Sequence, residues 1–287
     1  MNIDLFGNEI IKDELLRDKF IEPPFSVLDT KTGSWQKRKK MWKQKGIKSE
    51  IGRDVNVINN SFSGAKYGRK DMSETSIFDP ALTELLYHWY CPENGTILDP
   101  FAGGSVRGIV ANYLGYKYTG IDIRQEQIDA NRENAFEILP LNNQPNWYVG
   151  DSNQKLDEFI NTKFDFVFSC PPYSDLEIYS DLENDISNMN YDNFILAYNS
   201  IIHKTIKLLK KDHYACFVVG DIRDKKGFYR DFISHTKQCF INAGAKLYNE
   251  AILLQPLGTA MLRAGKIFTS GGKLTKVHEN ILIFKKI

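Results

Sequence analysis

Ile97-Leu98-Asp99-Pro100-Phe101-Ala102-Gly103-Gly104-Ser105 is the stretch that decides the fold. A short apolar run stops at an acid and a proline, crosses two glycines and resumes at Val106 as a helix-forming segment. That pattern is the first half of a strand-turn-helix unit, with the strand buried on both faces. Working outward, the spacing predicts helices over Pro80–Trp89, Val106–Leu114, Glu126–Phe136, Phe194–Leu209 and Tyr229–Ala243. Strands are expected at Thr96–Leu98, Tyr118–Ile121, Trp147–Val149, Phe164–Phe168, Tyr214–Val219, Leu247–Leu254 and Asn280–Lys285. Alternation at this rhythm implies an α/β fold, a doubly wound and mostly parallel sheet with crossover helices. Two final strands with no helix between them imply an antiparallel C-terminal hairpin at the sheet edge.

In such a sheet ligands lie beyond the carboxyl ends of the strands. Four chemically useful groups occur there. Asp99 opens the turn that carries Gly103 and Gly104, where a ligand can approach bare backbone. Asp122 ends the second strand, where an acid can hold ribose hydroxyls. Asp151-Ser152 follows the third strand, and Cys170-Pro171-Pro172-Tyr173 follows the fourth. A single strand-end acid often only caps the next helix. Three in register with a glycine turn indicate a nucleotide-like cofactor, and the lack of a full G-x-G-x-x-G argues against a nicotinamide dinucleotide.

The chain has 287 residues with 42% hydrophobic content, enough for a full-sized core. Its net charge of +1 conceals an imbalance: residues 1–70 carry +6 and the rest −5. We therefore divide it into a basic N-terminal arm, 1–70, with possible nucleic-acid contact, and a main domain, 71–287. Lys31 to Lys48 holds eight Lys/Arg and no acid, with Trp35 and Trp42 among Lys37, Arg38, Lys39 and Lys40. Cations that neutralise phosphates beside indoles that stack on bases suit nucleic acid. A solvated helix face with both tryptophans packed inward suits the same seven-residue spacing. Cys91, Cys170, Cys216 and Cys239 lack metal-ligand spacing and suggest reduced thiols in a cytoplasmic protein, with no metal site. No secretory leader or membrane-spanning apolar run is evident, so no membrane partner is expected.

The ordered motifs resemble the amino-directed, S-adenosylmethionine-dependent DNA methyltransferases, which modify adenine N6 or cytosine N4, including modification methylases of phages and mobile elements. Asp99-Pro100-Phe101-Ala102-Gly103-Gly104-Ser105 is similar to their cofactor loop D-P-F-x-G-x-G, and Phe78-Asp79-Pro80 to the segment before it. Cys170-Pro171-Pro172-Tyr173 resembles the catalytic (D/N/S)-P-P-(Y/F/W), and Lys276 to Lys285 the closing H-E-x-I-L-x-F-x-K strand. The likeness covers residues 76–287. It implies a Rossmann-like methyltransferase fold, S-adenosylmethionine as cofactor and double-stranded DNA as partner, in the cytoplasm of a bacterial or phage-infected cell. It assigns cofactor binding to Phe78, Asp99, Pro100, Phe101, Ala102, Gly103, Gly104, Ser105, Asp122, Ile123, Asp151 and Ser152, and catalysis to Cys170, Pro171, Pro172 and Tyr173.

An amino group conjugated to a heterocycle is a poor nucleophile, so its hydrogens must be drawn to acceptors. The Pro171 carbonyl can take one, two prolines stiffen the loop, and Tyr173 can stack on a flipped base. Cys170 departs from the motif, since a thiol is a weak hydrogen-bond partner, and Ser169 should face the other side of the strand. Either Cys170 is a tolerated variant, or it is a nucleophile for pyrimidine C5, which requires a thiolate. Asp175 to Asp192 is acidic and reads as a lid, a docking surface for the arm or a solvated loop. Gln255 to Lys276 reads as a flexible basic loop whose Arg263, Lys266 and Lys273, with Lys276, could clamp DNA beside the cleft. The same cofactor acting on RNA or protein glutamine, and an inactive nucleic-acid-binding module, are the competing readings.

Overall fold

The computed structural model describes residues 16–48, 78–173, 185–258 and 260–287. Residues 49–70 of the basic segment and Asp175, Glu177, Asp181 and Glu183 of the acidic one lie outside the described residues.

Eight strands form one sheet in the order β1-β7-β8-β6-β5-β2-β3-β4. They are β1 Val27–Asp29, β2 Thr96–Asp99, β3 Lys117–Asp122, β4 Asn146–Val149, β5 Phe164–Ser169, β6 Leu209–Val219, β7 Ala245–Leu254 and β8 His278–Lys286. β8 runs antiparallel to both β6 and β7, and every other pairing is parallel. The central strands are apolar throughout because both faces are covered, and their side chains alternate between two cores. Ile97, Phe166, Phe168, Cys216, Val218, Ile281 and Ile283 enter one core. Leu98, Val167, Ala215, Phe217, Val219, Leu282 and Phe284 enter the other.

Helices α2 Gly33–Gln44, α3 Pro80–Tyr90, α4 Val106–Tyr113 and α5 Gln125–Ile138 close the first face. The short α6 Ser152–Lys155, then α7 Tyr191–Leu208 and α8 Phe232–Asn242, lie on the second, and α1 is the short Leu16–Phe20. α3 begins where its sequence dictates: Asp79 caps it by accepting from the backbone N–H of Ala81 at 2.9 Å and of Leu82 at 3.3 Å, with Pro80 in the first helical position. Close packing also places β3. A Cβ added to Gly108 of α4 would sit 2.6 Å from the Trp147 ring, so glycine lets this helix lie directly on the sheet.

Two expectations are corrected. The terminal hairpin is not at the sheet edge: β8 is inserted between β6 and β7, and β1 pairs beyond β7. Nor is Gln255–Lys276 a plain loop, since α9 Ala260–Gly271 lies between β7 and β8. Its apolar Met261, Leu262 and Phe268 are all exposed, and none of its side chains is buried against the described fold.

The described part of the N-terminal segment is tied into the first core. Trp35 and Trp42 are buried, and their indole N–H groups donate to Asp79 Oδ2 at 3.1 Å and Glu84 Oε2 at 2.7 Å. Arg38 and Lys39 pair with the same two acids, at 2.7 and 3.0 Å. Lys37 and Lys40 face solvent. No helix among the described residues is long and apolar enough to cross a membrane.

Candidate active site

The carboxyl ends of β2, β3, β5, β6 and β7 open onto one cavity of about 330 Å³. The turn after β2 is held from below. Asp99 is fully buried, and its Oδ1 accepts from Ser169 Oγ at 2.5 Å and the Phe101 N–H at 3.1 Å. Its Oδ2 accepts from Arg107 Nε at 2.6 Å and Tyr118 OH at 2.7 Å. Four donors occupy the carboxylate, which does not line the cavity. Arg107 then donates through Nη2 to the Phe101 and Ala102 carbonyls, at 2.7 and 2.9 Å, and its guanidinium lies 4.5 Å from the Phe78 ring centre. Burial opposes the Arg107 charge, but the adjacent Asp99 carboxylate overcomes it and holds the guanidinium above its ordinary value.

The upper side of the turn is open. Gly103 has φ +50, a left-handed conformation that favours glycine, and a Cβ there would meet nothing within 4 Å. Its N–H donates to Asp122 Oδ2 at 3.0 Å, and its carbonyl accepts from Asn131 Nδ2 at 2.7 Å. Asp122 Oδ1 accepts from the Arg124 N–H at 2.9 Å. Burial raises the Asp122 carboxyl above its ordinary value against the lowering effects of Arg124 and the two N–H groups. Beneath β3, a Cβ on Gly120 would lie 2.6 Å from the Tyr118 ring and 2.9 Å from Ala102 Cβ, so strand and turn touch only because the side chain is absent.

Of the twelve residues expected to hold the cofactor, Phe78, Pro100, Phe101, Gly103, Gly104, Asp122, Ile123, Asp151 and Ser152 line the cavity. Asp151 also caps α6, accepting from the Asn153 N–H at 2.8 Å, and Ser152 donates to the Pro100 carbonyl at 2.5 Å. Asp99, Ala102 and Ser105 do not line it. Ser105 turns away, donating to the Lys48 carbonyl and to Asn134 Oδ1 at 3.1 and 2.9 Å.

Cys170, Pro171, Pro172 and Tyr173 all face the cavity from the end of β5, while Ser169 is turned beneath it, as strand alternation requires. Burial, then the Glu279 carboxylate, pushes the Cys170 thiol up to about 12, so it is protonated near neutral pH and poorly suited to nucleophilic attack. Tyr173 packs edge-on against Phe232 at 6.1 Å and donates to Glu279 Oε1 at 3.4 Å. Glu279 Oε2 accepts from Gln255 Nε2 at 2.6 Å.

The sequence reading missed several lining residues: Asp79, Arg107, Arg124, Gln127, Asp185, Gln255 and Glu279. Arg107 is the second residue of the helix after the glycine turn, where only its position hints at a role. Glu279 could have been found in the His278-Glu279 pair that opens β8. Lys39 was expected on a nucleic-acid surface, and the structure places it in the cavity wall against Asp79. Arg263, Lys266 and Lys273 are exposed on and just after α9, outside the cavity. Among the described residues no group of three or more His, Cys, Asp or Glu could hold a metal.

The family model described as DNA methylase, of N6 and N4 methyltransferases, matches residues 19–133. No curated protein matches the sequence. Among solved structures, TrmN from Thermus thermophilus is similar at 14% identity and a TM-score of 0.49, over 73% of this chain and 49% of that one. The chain thus spans about half the length of TrmN. Magnesium protoporphyrin IX methyltransferase from Synechocystis with bound SAM aligns at 12% identity and a TM-score of 0.45, over 81% and 96% of the two chains. A Thermus thermophilus protein assigned as a DNA modification methylase aligns at 17% and 0.34, over 47% and 50%.

Proposed function

We propose that the chain is an S-adenosylmethionine-dependent DNA methylase, a reading supported by the family match over residues 19–133, and that it transfers a methyl group to the exocyclic amino nitrogen, adenine N6 or cytosine N4, of a base flipped out of double-stranded DNA. The observation that carries this reading is that the bare turn at Gly103, the Asp122 carboxylate and the Pro171-Pro172-Tyr173 loop line one cavity. The residues fit the cofactor. Gly103 leaves open space where a side chain would intrude, and Asp122 has donors on each oxygen from the backbone yet faces the cavity for further ones. Asp122 would accept from the ribose hydroxyls, Gly103 and Gly104 would admit the amino-acid portion, and Ile123, Asp151 and Ser152 would bound the adenine. When bound, S-adenosylmethionine supplies an electrophilic methyl on a sulfonium.

The chain's own residues do the remainder. The Pro171 carbonyl, with no proline N–H nearby to compete for it, accepts one hydrogen of the target amino group. Tyr173 offers a ring against the flipped base, whose extrusion costs about a few kcal/mol. Alignment of nitrogen and methyl contributes much of the acceleration. The exposed cations Arg263, Lys266 and Lys273 on and just after α9 would neutralise phosphates, with Lys37 and Lys40 as a second set. Arg38 and Lys39 act within the fold, since each is already paired to an acid. The setting is the cytoplasm of a bacterial or phage-infected cell.

The test is incubation of the chain with radiolabelled S-adenosylmethionine and, separately, unmodified double-stranded DNA, tRNA and protein. Label in DNA, recovered after digestion as an N-methylated nucleoside, is the expected result. Label only in tRNA or protein would replace the acceptor, recovery as a C5-methylated pyrimidine would restore Cys170 as nucleophile, and cofactor binding without label would leave a binding module.

A further inference from the structure

The motif residue that ordinarily takes the second amino hydrogen is Cys170 here, and a thiol accepts weakly. The structure supplies a strong acceptor beside it from a different strand. Glu279, second residue of β8, lines the same cavity as Cys170 and Pro171. Its carboxylate is fixed in place: Gln255 Nε2, at the end of β7, donates to Oε2 at 2.6 Å, and Tyr173 OH donates to Oε1 at 3.4 Å. The Cys170 thiol lies within hydrogen-bond reach of that same tyrosine hydroxyl and feels the Glu279 charge. Thiol, phenol and carboxylate therefore form one short polar row beside the proline pair. Inserting β8 between β6 and β7 is what brings Glu279 to the end of β5, although more than one hundred residues separate it from Tyr173 in sequence.

We propose that Glu279 is the hydrogen-bond acceptor for the target amino group, standing in for the side chain that Cys170 cannot provide. This rests on the reading of the cleft as an amino-methyltransferase site. The Pro171 carbonyl takes one N–H and a Glu279 oxygen takes the other, which directs the nitrogen lone pair toward the methyl carbon. As the new N–C bond forms, the C–S bond of the sulfonium breaks and its electron pair remains on sulfur. The proton released from nitrogen passes to the Glu279 carboxylate and from there to solvent, so charge balances without any other reactant.

The experiment compares the full-length chain with Glu279→Ala, Glu279→Gln and the double variant Glu279→Ala with Cys170→Asn. Single-turnover methyl transfer to DNA is measured together with calorimetric affinities for S-adenosylmethionine and S-adenosylhomocysteine. The expected result is a fall on the order of 100-fold in the single-turnover rate for Glu279→Ala, with both affinities within about twofold of the parent, which also certifies folding. Glu279→Gln should lose less, since its amide oxygen still accepts but cannot take a proton. Adding Cys170→Asn, which restores an acceptor at the first motif position, should recover about tenfold of the Glu279→Ala loss; a residue that merely braced Tyr173 would not be rescued in this way. Three outcomes overturn the proposal: a Glu279→Ala rate near the parent's, no rescue by Cys170→Asn, or a selective loss of S-adenosylmethionine affinity with the sulfur-neutral product bound as before. The last would assign Glu279 to the sulfonium charge. Absence of transfer by the parent chain would instead remove the functional reading itself.

Discussion

Replacing Arg107 with methionine keeps a long apolar stem and removes every donor that the guanidinium supplies. In the parent structure Arg107 Nε lies 2.6 Å from Asp99 Oδ2, and the two side chains are 6% and 0% exposed. Solvent screening, which makes surface ion pairs nearly worthless, does not operate at that burial. Breaking a buried pair by removing one partner costs about 3–5 kcal/mol, because the other charge is left behind. The Phe101 and Ala102 carbonyls also lose their Arg107 donor, each at about 1 kcal/mol. We expect Arg107→Met to lose about 5 kcal/mol, a large share of the roughly 5–15 kcal/mol that holds a typical domain together. At about 2–4 °C per kcal/mol the midpoint should fall by on the order of 10–20 °C. Urea denaturation followed by circular dichroism, with Asp99→Asn and the double variant in the same series, measures it. The two single losses should exceed the double loss by about 2 kcal/mol, as coupled neighbours do. A loss under about 1 kcal/mol, or simple additivity, would refute the view that Arg107 and Asp99 jointly carry the turn.

Four further outcomes are expected. Asp122 must be ionised to accept hydroxyl donors at both oxygens, and burial raises its carboxyl; S-adenosylmethionine affinity should therefore weaken as pH falls, starting above the ordinary carboxylate range. Calorimetry across pH checks this, and Asp122→Asn should flatten the profile. Gly108→Ala places a methyl group 2.6 Å from the Trp147 ring and 3.1 Å from the Tyr118 ring, so denaturation should register a loss of about 1–3 kcal/mol. Cys91 and Cys170 are both pushed up to about 12, chiefly by burial. Iodoacetamide mass spectrometry of the native protein at pH 8 should thus find both far less modified than an unperturbed thiol, about a thousandfold for Cys170. Substituting Arg263, Lys266 and Lys273 by alanine should flatten the dependence of log affinity for DNA on log salt by about 2 to 3, as read by fluorescence anisotropy; an unchanged slope would move the duplex to another face.

Local chemistry made the parallel half of the sheet legible. Ile97-Leu98 and Phe166-Val167-Phe168 are apolar without interruption because helices cover both faces, and each run ends at a polar residue, Asp99 or Ser169, that marks the strand's end. Cavity residues at the ends of β2, β3, β4 and β5 were equally visible, whereas Gln255 after β7 was not. Legibility failed where position depends on partners remote in sequence. β1 is three residues long, and its place beside β7 rests on a pairing across more than two hundred residues. α9 presents no buried side chain, and Gly258, Gly265, Gly271 and Gly272 gave that segment the composition of a loop. Asp99 read as a ligand contact because a strand-end acid beside a glycine turn is one in many folds. Only the arrival of Arg107, Tyr118 and Ser169 from three other elements turns it into a buried strut. Trp35 and Trp42 kept two readings until Asp79 and Glu84 claimed their indole N–H groups.

The insertion of β8 has a consequence for synthesis. β7, with β1 beyond it, joins the rest of the sheet only through β8, whereas β6 is already paired to β5, so a ribosome that has not yet released residues 278–286 leaves a slot one strand wide between β6 and β7. Its rims are the unpaired edges of β6, with the apolar run Ala215 to Val219, and of β7. Open apolar rims of this kind recruit strands from neighbouring molecules. A nascent chain paused at α9 is therefore the species most in need of a chaperone, and delivery of β8 closes the slot and completes the cavity wall at Glu279 in a single event.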